Sequence, residues 1–215
     1  MMNDFGIYAI GFTAQLLFSS RLIVQWILSE KKKEIVTPSL FWKLSILASI
    51  LLFIYGFYRK DLAIMLGQTL TYYIYIRNLQ LQKEWQKAPS LFRSLLLIGP
   101  IALLFVGIYQ GNLDWSTLTN QENIDTWLLL LGVFSQVLFT FRFVYQWVHS
   151  ERIKVSELSI GFWRWSVAGA CLILIYAIFR KDPVLFLGHG SGMLIYIRNI
   201  IIWRKQKMNS NKHLS

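Results

Sequence analysis

Residues 21–30 read RLIVQWILSE and residues 142–151 read RFVYQWVHSE, so Arg, Gln, Trp, Ser and Glu return in the same places after 121 residues. Each stretch lies in or at the end of a long apolar run, 5–28 in one case and 127–149 in the other. Either run is long enough to cross the roughly 30 Å hydrocarbon core of a bilayer as an α-helix. A polar row repeated inside two such runs points to a duplicated membrane unit rather than a soluble domain.

The offset of 121 persists on both sides of these stretches. Phe41 and Trp42 return as Phe162 and Trp163, and Tyr55, Arg59, Lys60 and Asp61 return as Tyr176, Arg180, Lys181 and Asp182. Gly67 returns as Gly188, and Tyr75, Ile76, Arg77 and Asn78 return as Tyr196, Ile197, Arg198 and Asn199, with no insertion or deletion. Further apolar runs at 40–58, 62–80, 91–110, 161–179 and 184–203 bring the expected spans to seven. Each copy holds three of them, and 91–110, which contains Gly99 and Pro100, has no counterpart.

The expected fold is therefore an all-α integral membrane protein with seven transmembrane helices, two parallel three-helix repeats and a linker helix (3+1+3). An even number of crossings precedes the second copy, so both copies run in the same direction and are related by an axis along the membrane normal. The boundaries read as 1–85 for the first repeat, 86–122 for the linker, 123–206 for the second repeat and 207–215 for a basic tail.

Composition agrees. Of the 215 residues 55% are apolar and 16% aromatic, and the net charge of +11 sits in short stretches between apolar runs instead of on one face. Nucleic acid is not an expected partner. The first run lacks the basic flank and cleavage site of a signal peptide, so it is read as the first helix. Cys171 is the single cysteine, which excludes an intrachain disulfide and a thiolate cluster. Lys31, Lys32, Lys33, Lys83, Lys87, Arg93, Arg152 and Lys154 crowd the connections on one side, with Arg204, Lys205, Lys207 and Lys212 in the tail. By the positive-inside rule the N-terminus lies outside and the C-terminus in the cytoplasm. The expected compartment is the bacterial inner membrane.

The series Arg21-x3-Gln25-Trp26-x2-Ser29-Glu30, Pro38-x2-Phe41-Trp42, Tyr55-x3-Arg59-x-Asp61 and Tyr75-x-Arg77-Asn78 resembles the lipid-A-disaccharide synthase N-terminal domain family, and both repeats resemble it. That family is similar in turn to the PQ-loop and SWEET group of transporters, whose three-helix units pair in a three-one-three arrangement. The resemblance implies a place in glycolipid synthesis. The glycosyltransferase portion that names the family is absent, so the resemblance does not carry that enzymatic activity over. Pro38 becomes Ser159 and Gln68 becomes His189, which makes the two halves chemically unequal.

Arginine within a membrane helix costs about 2.5–3.5 kcal/mol on insertion scales and marks a functional position by default. Arg21, Gln25 and Ser29 share one helix face at four-residue spacing, and Arg142, Gln146 and Ser150 repeat the row. Two roles fit each arginine: a partner of Glu30 or Glu151 that fixes packing, or an anion ligand. Arg77, Asn78, Arg198, Asn199, Lys43 and Arg164 are expected at the same cytoplasmic side, where they act either as lipid anchors or together with Arg21 and Arg142 around one vestibule. Guanidinium forks match phosphate oxygens, and the amides of Gln25, Asn78, Gln146 and Asn199 suit phosphate or sugar hydroxyls. Arg59, Lys60, Asp61 and Arg180, Lys181, Asp182 form a candidate outer site or simply solvated turns. Gly188 with Gly192 permits close helix approach, as Gly67 with Thr71 does more weakly. Trp26, Trp42, Trp147 and Trp163 read as aromatic-belt anchors at the interface.

No catalytic constellation or metal-ligand spacing stands out, and no cofactor is expected. The leading functional expectation is a flippase-like transporter for a lipid-linked phosphate or sugar phosphate, with membrane lipid or a polyprenyl-phosphate-linked sugar as partner. Two alternatives remain at this level. One is a non-catalytic partner of a glycosyltransferase in lipid A or glycolipid synthesis, and the other is a SWEET-like carrier of free sugar.

Overall fold

The computed structural model describes residues 4–59, 62–109, 125–181 and 183–212. Seven α-helices run in the order α1 (Asp4–Lys32), α2 (Ser39–Arg59), α3 (Leu62–Leu81), α4 (Ser90–Tyr109), α5 (Thr126–Ile153), α6 (Ile160–Arg180) and α7 (Pro183–Lys212), with a 3₁₀ turn Trp85–Lys87 before α4. There is no strand among the described residues.

Of these helices α1, α2, α4, α5 and α6 are long and apolar enough to cross a membrane. Sequence reading expects seven spans, and seven helices stand at the expected places; α3 and α7 are the less apolar ones, with Gln68, Thr69, Thr71 and Asn78 along α3 and His189, Ser191, Asn199 and a basic end along α7. The outer faces of the other helices are those of lipid-facing surfaces. Phe12 and Leu16 on α1, Leu95 and Phe105 on α4, and Leu130 and Val137 on α5 are each more than half exposed, which water would not tolerate on this scale.

The described residues form two compact units. One holds Met1–Arg21 and Ser39–Asn123, the other Leu22–Pro38 and Ile124–Ser215, so α1 gives residues to both. In the first unit α2 packs along α3, and α4 touches both. Pro100 has no N–H and so leaves the carbonyl of Leu96, four residues earlier, without its helical donor. Tyr72 supplies the missing proton, its hydroxyl donating to Leu96 O at 2.8 Å, and Tyr73 donates to Leu97 O at 2.5 Å. A proline that would weaken an isolated helix becomes the docking point between α4 and α3.

In the second unit α6 packs against both α5 and α7. Gly169 lets α6 approach so closely that a Cβ there would lie 2.8 Å from Phe139 Cα. Gly132 accommodates the Tyr176 ring in the same way that Gly11 accommodates Tyr55 in the first unit. The glycines singled out by spacing behave differently. A Cβ at Gly67 or Gly188 would meet no described atom within 4 Å, and one at Gly192 would meet only Tyr196 of its own helix. Close approach therefore runs through Gly11 and Gly56 in the first unit and Gly132, Gly161 and Gly169 in the second, Gly161 lying against the Tyr145 ring.

Trp42 and Trp163 also depart from expectation. Both are fully buried, packed edge-on to Phe41 and Phe162 and tilted against Tyr75 and Tyr196. Trp163 Nε1 donates to Leu158 O at 3.2 Å. They anchor the start of α2 and α6 within the protein, whereas Trp147, 40% exposed, keeps an outer position.

Several turns close on lysine rather than glycine: Lys33, Lys83, Lys154 and Lys181 have φ between 53° and 58°. Each lies just beyond a helix C-terminus, where a cation offsets the negative end of the helix dipole. Outside the spans, Glu84 receives hydrogen bonds from Lys43 Nζ at 2.7 Å and Lys87 Nζ at 2.5 Å. The Lys43 bond, then the Lys87 bond, pulls the Glu84 carboxyl down to about 2.

Two outcomes follow. Tyr72→Phe should lower unfolding stability in detergent by about 1–3 kcal/mol, the cost of an unsatisfied buried acceptor. In a Pro100→Ala background, which restores the helical donor, the same change should cost well under half as much; equal losses would show that the phenol does not replace the missing bond. Glu84 is depressed, so its contribution is full above the ordinary carboxylate range near 4.5 and fades as pH falls toward 2. Melting temperatures of wild type and Lys43→Gln should thus differ at neutral pH and converge below that window.

Candidate functional site

Each unit holds one deeply buried arginine. In the first, Arg21 is 4% exposed and its Nη1 donates to Ser45 Oγ at 2.6 Å. Its guanidinium lies 4.6 Å from the Phe18 ring centroid, 5.0 Å from Phe41 and 5.3 Å from Tyr75. In the second, Arg142 is 5% exposed, and Nη1 donates to Tyr196 Oη at 3.1 Å and Ser166 Oγ at 3.4 Å. Phe139 covers it at 3.6 Å and Phe143 at 4.8 Å, with Phe162 and Tyr196 at 5.5 Å. Ser45 and Ser166 spend their own protons on Phe41 O and Phe162 O, so their lone pairs are turned to the arginine.

These are aromatic boxes. Ring faces carry negative potential, and a desolvated cation–π contact is worth about 2 kcal/mol or more. Several such contacts offset much of the cost of holding the charge away from water. Phe18 and Phe139, like Ser45 and Ser166, keep the 121-residue offset. That offset could have marked them as partners of the arginines, although sequence reading named none of the four.

The amides do a different job. Gln25 Nε2 reaches Ser29 Oγ at 2.9 Å and Val36 O at 3.2 Å, and Val36 N donates to Ser29 Oγ at 3.0 Å. Gln146, Ser150 and Glu157 repeat the arrangement, with Gln146 Nε2 at 2.9 Å from Ser150 Oγ and 3.1 Å from Glu157 O. Each Gln-x3-Ser row therefore clamps the loop that follows its own helix. Gln25 and Asn199 also exchange two hydrogen bonds, of 2.9 and 3.2 Å, and both side chains are fully buried. Leu158 N donates to Thr37 Oγ1 at 2.9 Å, joining the two clamped loops.

Arg198 holds Glu30 through two parallel bonds, Nε to Oε1 and Nη2 to Oε2, the latter at 3.0 Å. Trp26 Nε1 donates to the same carboxylate at 3.1 Å. Glu30, which sequence reading offers to Arg21, thus serves Arg198. Beside this pair opens a cavity of about 320 Å³ lined by Glu30, Lys33, Arg198, Lys205 and Asn209, with Ile201 and Ile202 as its apolar wall. A second, almost wholly apolar cavity of about 150 Å³ lies in the first unit between α2, α3 and α4, where Ser49 donates to Gln68 Oε1 at 3.0 Å.

Among the other residues named from sequence, Arg77 Nη1 donates to Gln80 Oε1 at 3.1 Å and Asn78 Nδ2 to Ile74 O at 2.8 Å. Arg59 reaches Tyr8 Oη at 3.4 Å, while Arg180 and Lys181 end α6. Lys60, Asp61 and Asp182 lie outside the described residues.

The family described as Lipid A Biosynthesis N-terminal domain matches residues 10–80 and again 131–201, two segments separated by the same 121 residues as the repeat. The chain belongs to this family. It is 28% identical to a lipid-A-disaccharide synthase of Chlamydia pneumoniae over 95% of its own length and 34% of that protein. It is 29% identical to the lipid-A-disaccharide synthases of Chlamydia caviae and Chlamydia abortus, in each case over 94% of this chain and 34% of the other. The chain thus spans about a third of these curated relatives. No solved structure matches it.

The amide clamp has a clean test. Gln25→Leu and Asn199→Leu should each cost about 1–3 kcal/mol of unfolding free energy, because each strands the other amide. The double variant should lose less than the sum, by about 0.5–3 kcal/mol. Additive losses would show that the two amides do not depend on each other.

Proposed function

We propose that this chain binds the phosphate-bearing headgroup of a lipid-linked phosphate or sugar phosphate in cell-envelope glycolipid synthesis and carries it across the bilayer. The observation that carries the reading is the duplicated arginine box, a permanent cation held within each three-helix unit. Arginine remains charged at any accessible pH, and its fork suits phosphate oxygens. Rings cover the faces of the guanidinium, so an incoming anion would have to approach its edge, where the Ser45 and Ser166 hydroxyls now sit. Arg77 and Arg198 would receive the headgroup at the predicted cytoplasmic ends of α3 and α7, with Gln25, Asn78, Gln146 and Asn199 in supporting roles. The N-terminus would lie outside in this arrangement, and Arg59, Lys60 and Asp61 with Arg180, Lys181 and Asp182 would serve release.

A second reading is favoured by one fact: the curated relatives are lipid-A-disaccharide synthases of which this chain spans about a third. A non-catalytic membrane partner that recruits or activates a glycosyltransferase would fit that proportion. Loss of a co-purifying enzyme's activity when this chain is deleted, with no loss of lipid movement, would favour it over transport.

The decisive experiment is flipping of fluorescent polyprenyl phosphate by reconstituted protein. Arg21→Gln with Arg142→Gln should slow it about tenfold or more, tenfold being the equivalent of 1.4 kcal/mol. Single Arg→Lys variants, which keep the charge and lose the fork, should fall in between. Equal rates in the wild type and a folded double glutamine variant defeat transport.

A further inference from the structure

The cavity between the end of α1 and the C-terminal part of α7 is not explained by the repeat. Glu30, Lys33 and Arg198 have counterparts at Glu151, Lys154 and Arg77, but Lys205 stands where the first repeat has Glu84. Glu84 closes on Lys43 and Lys87. At the corresponding place in the second repeat the sign is reversed, and the lysine lines an open cavity of about 320 Å³. A pairing merely inherited from a common ancestor would not be expected to invert its charge at this position.

The lining has a definite charge. Lys33, Arg198 and Lys205 face Glu30, leaving a formal charge of +2. A phosphate monoester carries about −1.5 to −2 at neutral pH. The phosphodiester of an ordinary membrane lipid carries a single charge and would leave one cation uncompensated. Ile201 and Ile202 supply an apolar wall beside the cations, suited to the first methylenes of a chain and of no use to a free ion. Helix α7 ends in a basic segment, Arg204, Lys205 and Lys207, in which Lys207 lies 5.4 Å from the Trp203 ring, a pairing of cation and aromatic ring that suits the headgroup layer.

We propose that the cavity lined by Lys33, Arg198, Lys205 and Asn209 is a capture site for a lipid phosphate monoester, with Glu30 as the internal anion that the phosphate displaces from Arg198. The half-exposed Glu30–Arg198 pair holds the guanidinium fork in place while the site is empty of lipid, and the incoming phosphate accepts the same two parallel bonds. Asn209 adds a neutral donor. The inference deepens the reading above by naming the charge class of the headgroup, but binding here does not require that the lipid be moved.

The test uses full-length protein in phosphatidylcholine nanodiscs doped with phosphatidic acid, a monoester, or with phosphatidylglycerol, a diester, and measures lipid retention by native mass spectrometry. Wild type should retain phosphatidic acid about tenfold over phosphatidylglycerol, a difference of about 1.4 kcal/mol. Lys33→Gln with Lys205→Gln, both at exposed positions, should erase the preference, and Glu30→Gln should raise retention of both lipids. Excess inorganic phosphate should leave the lipid in place. Equal retention of the two lipids by wild type, an unchanged preference in the double variant, or ready displacement by inorganic phosphate would each overturn the proposal. A chain that selects phosphatidic acid yet flips nothing would defeat transport and leave this site standing.

Discussion

A guanidinium shut away from water at the centre of three helices sets the terms for each unit. Arg142 on α5 must meet its hydrogen-bond partners on α6 and α7, Ser166 and Tyr196, and its aromatic neighbours on all three helices. Arg21 likewise reaches α2 through Ser45 and Phe41 and α3 through Tyr75. Leaving a charge of this kind uncompensated costs far more than any single apolar contact returns. The helices can therefore adopt few rotations other than those that bring Ser, Phe and Tyr to the arginine. The fully buried Trp42 and Trp163, packed against the same rings, fill the space around the box.

Around that shared centre the two units have diverged in their polar chemistry. Ser49 bonded to Gln68 gives the first unit a neutral polar pair beside an apolar cavity. The second has Ala170 and His189 at those places, with His189 edge-on to Phe139. Glu84 and Lys205 differ in sign. Duplication preserved the arginine, its serine, its rings and the loop clamp. Among the positions that changed, Ser49, Gln68 and Lys205 line cavities.

The fold class was legible because hydropathy and the 121-residue offset are properties of the chain read in one dimension. A helix long enough to cross a bilayer announces itself, and a repeat without gaps fixes which helix matches which. Side-chain partners were less legible. Gln25 and Gln146 looked like ligand donors because an intramembrane amide is costly unless it is used. Which use applies depends on whether the following loop folds back, as it does at Val36 and Glu157. Tyr72 as the substitute donor for Pro100 needs knowledge that α4 lies on α3, and local sequence carries none. The polar residues of α3 and α7 were present in the sequence, and both runs still read as largely apolar over a membrane-spanning length.

Attachment to a bilayer by itself does not explain this chain. One apolar helix anchors a protein to a membrane, and it does so without buried charge. Here the chain invests in five helices apolar and long enough to cross, and in two arginines whose insertion costs about 2.5–3.5 kcal/mol apiece before their boxes compensate. The lipid-A-disaccharide synthases to which it is similar include a stretch aligned with nearly the whole chain, linker helix included. A segment this expensive, aligned as a unit within proteins about three times its length, is more than anchoring to a bilayer requires.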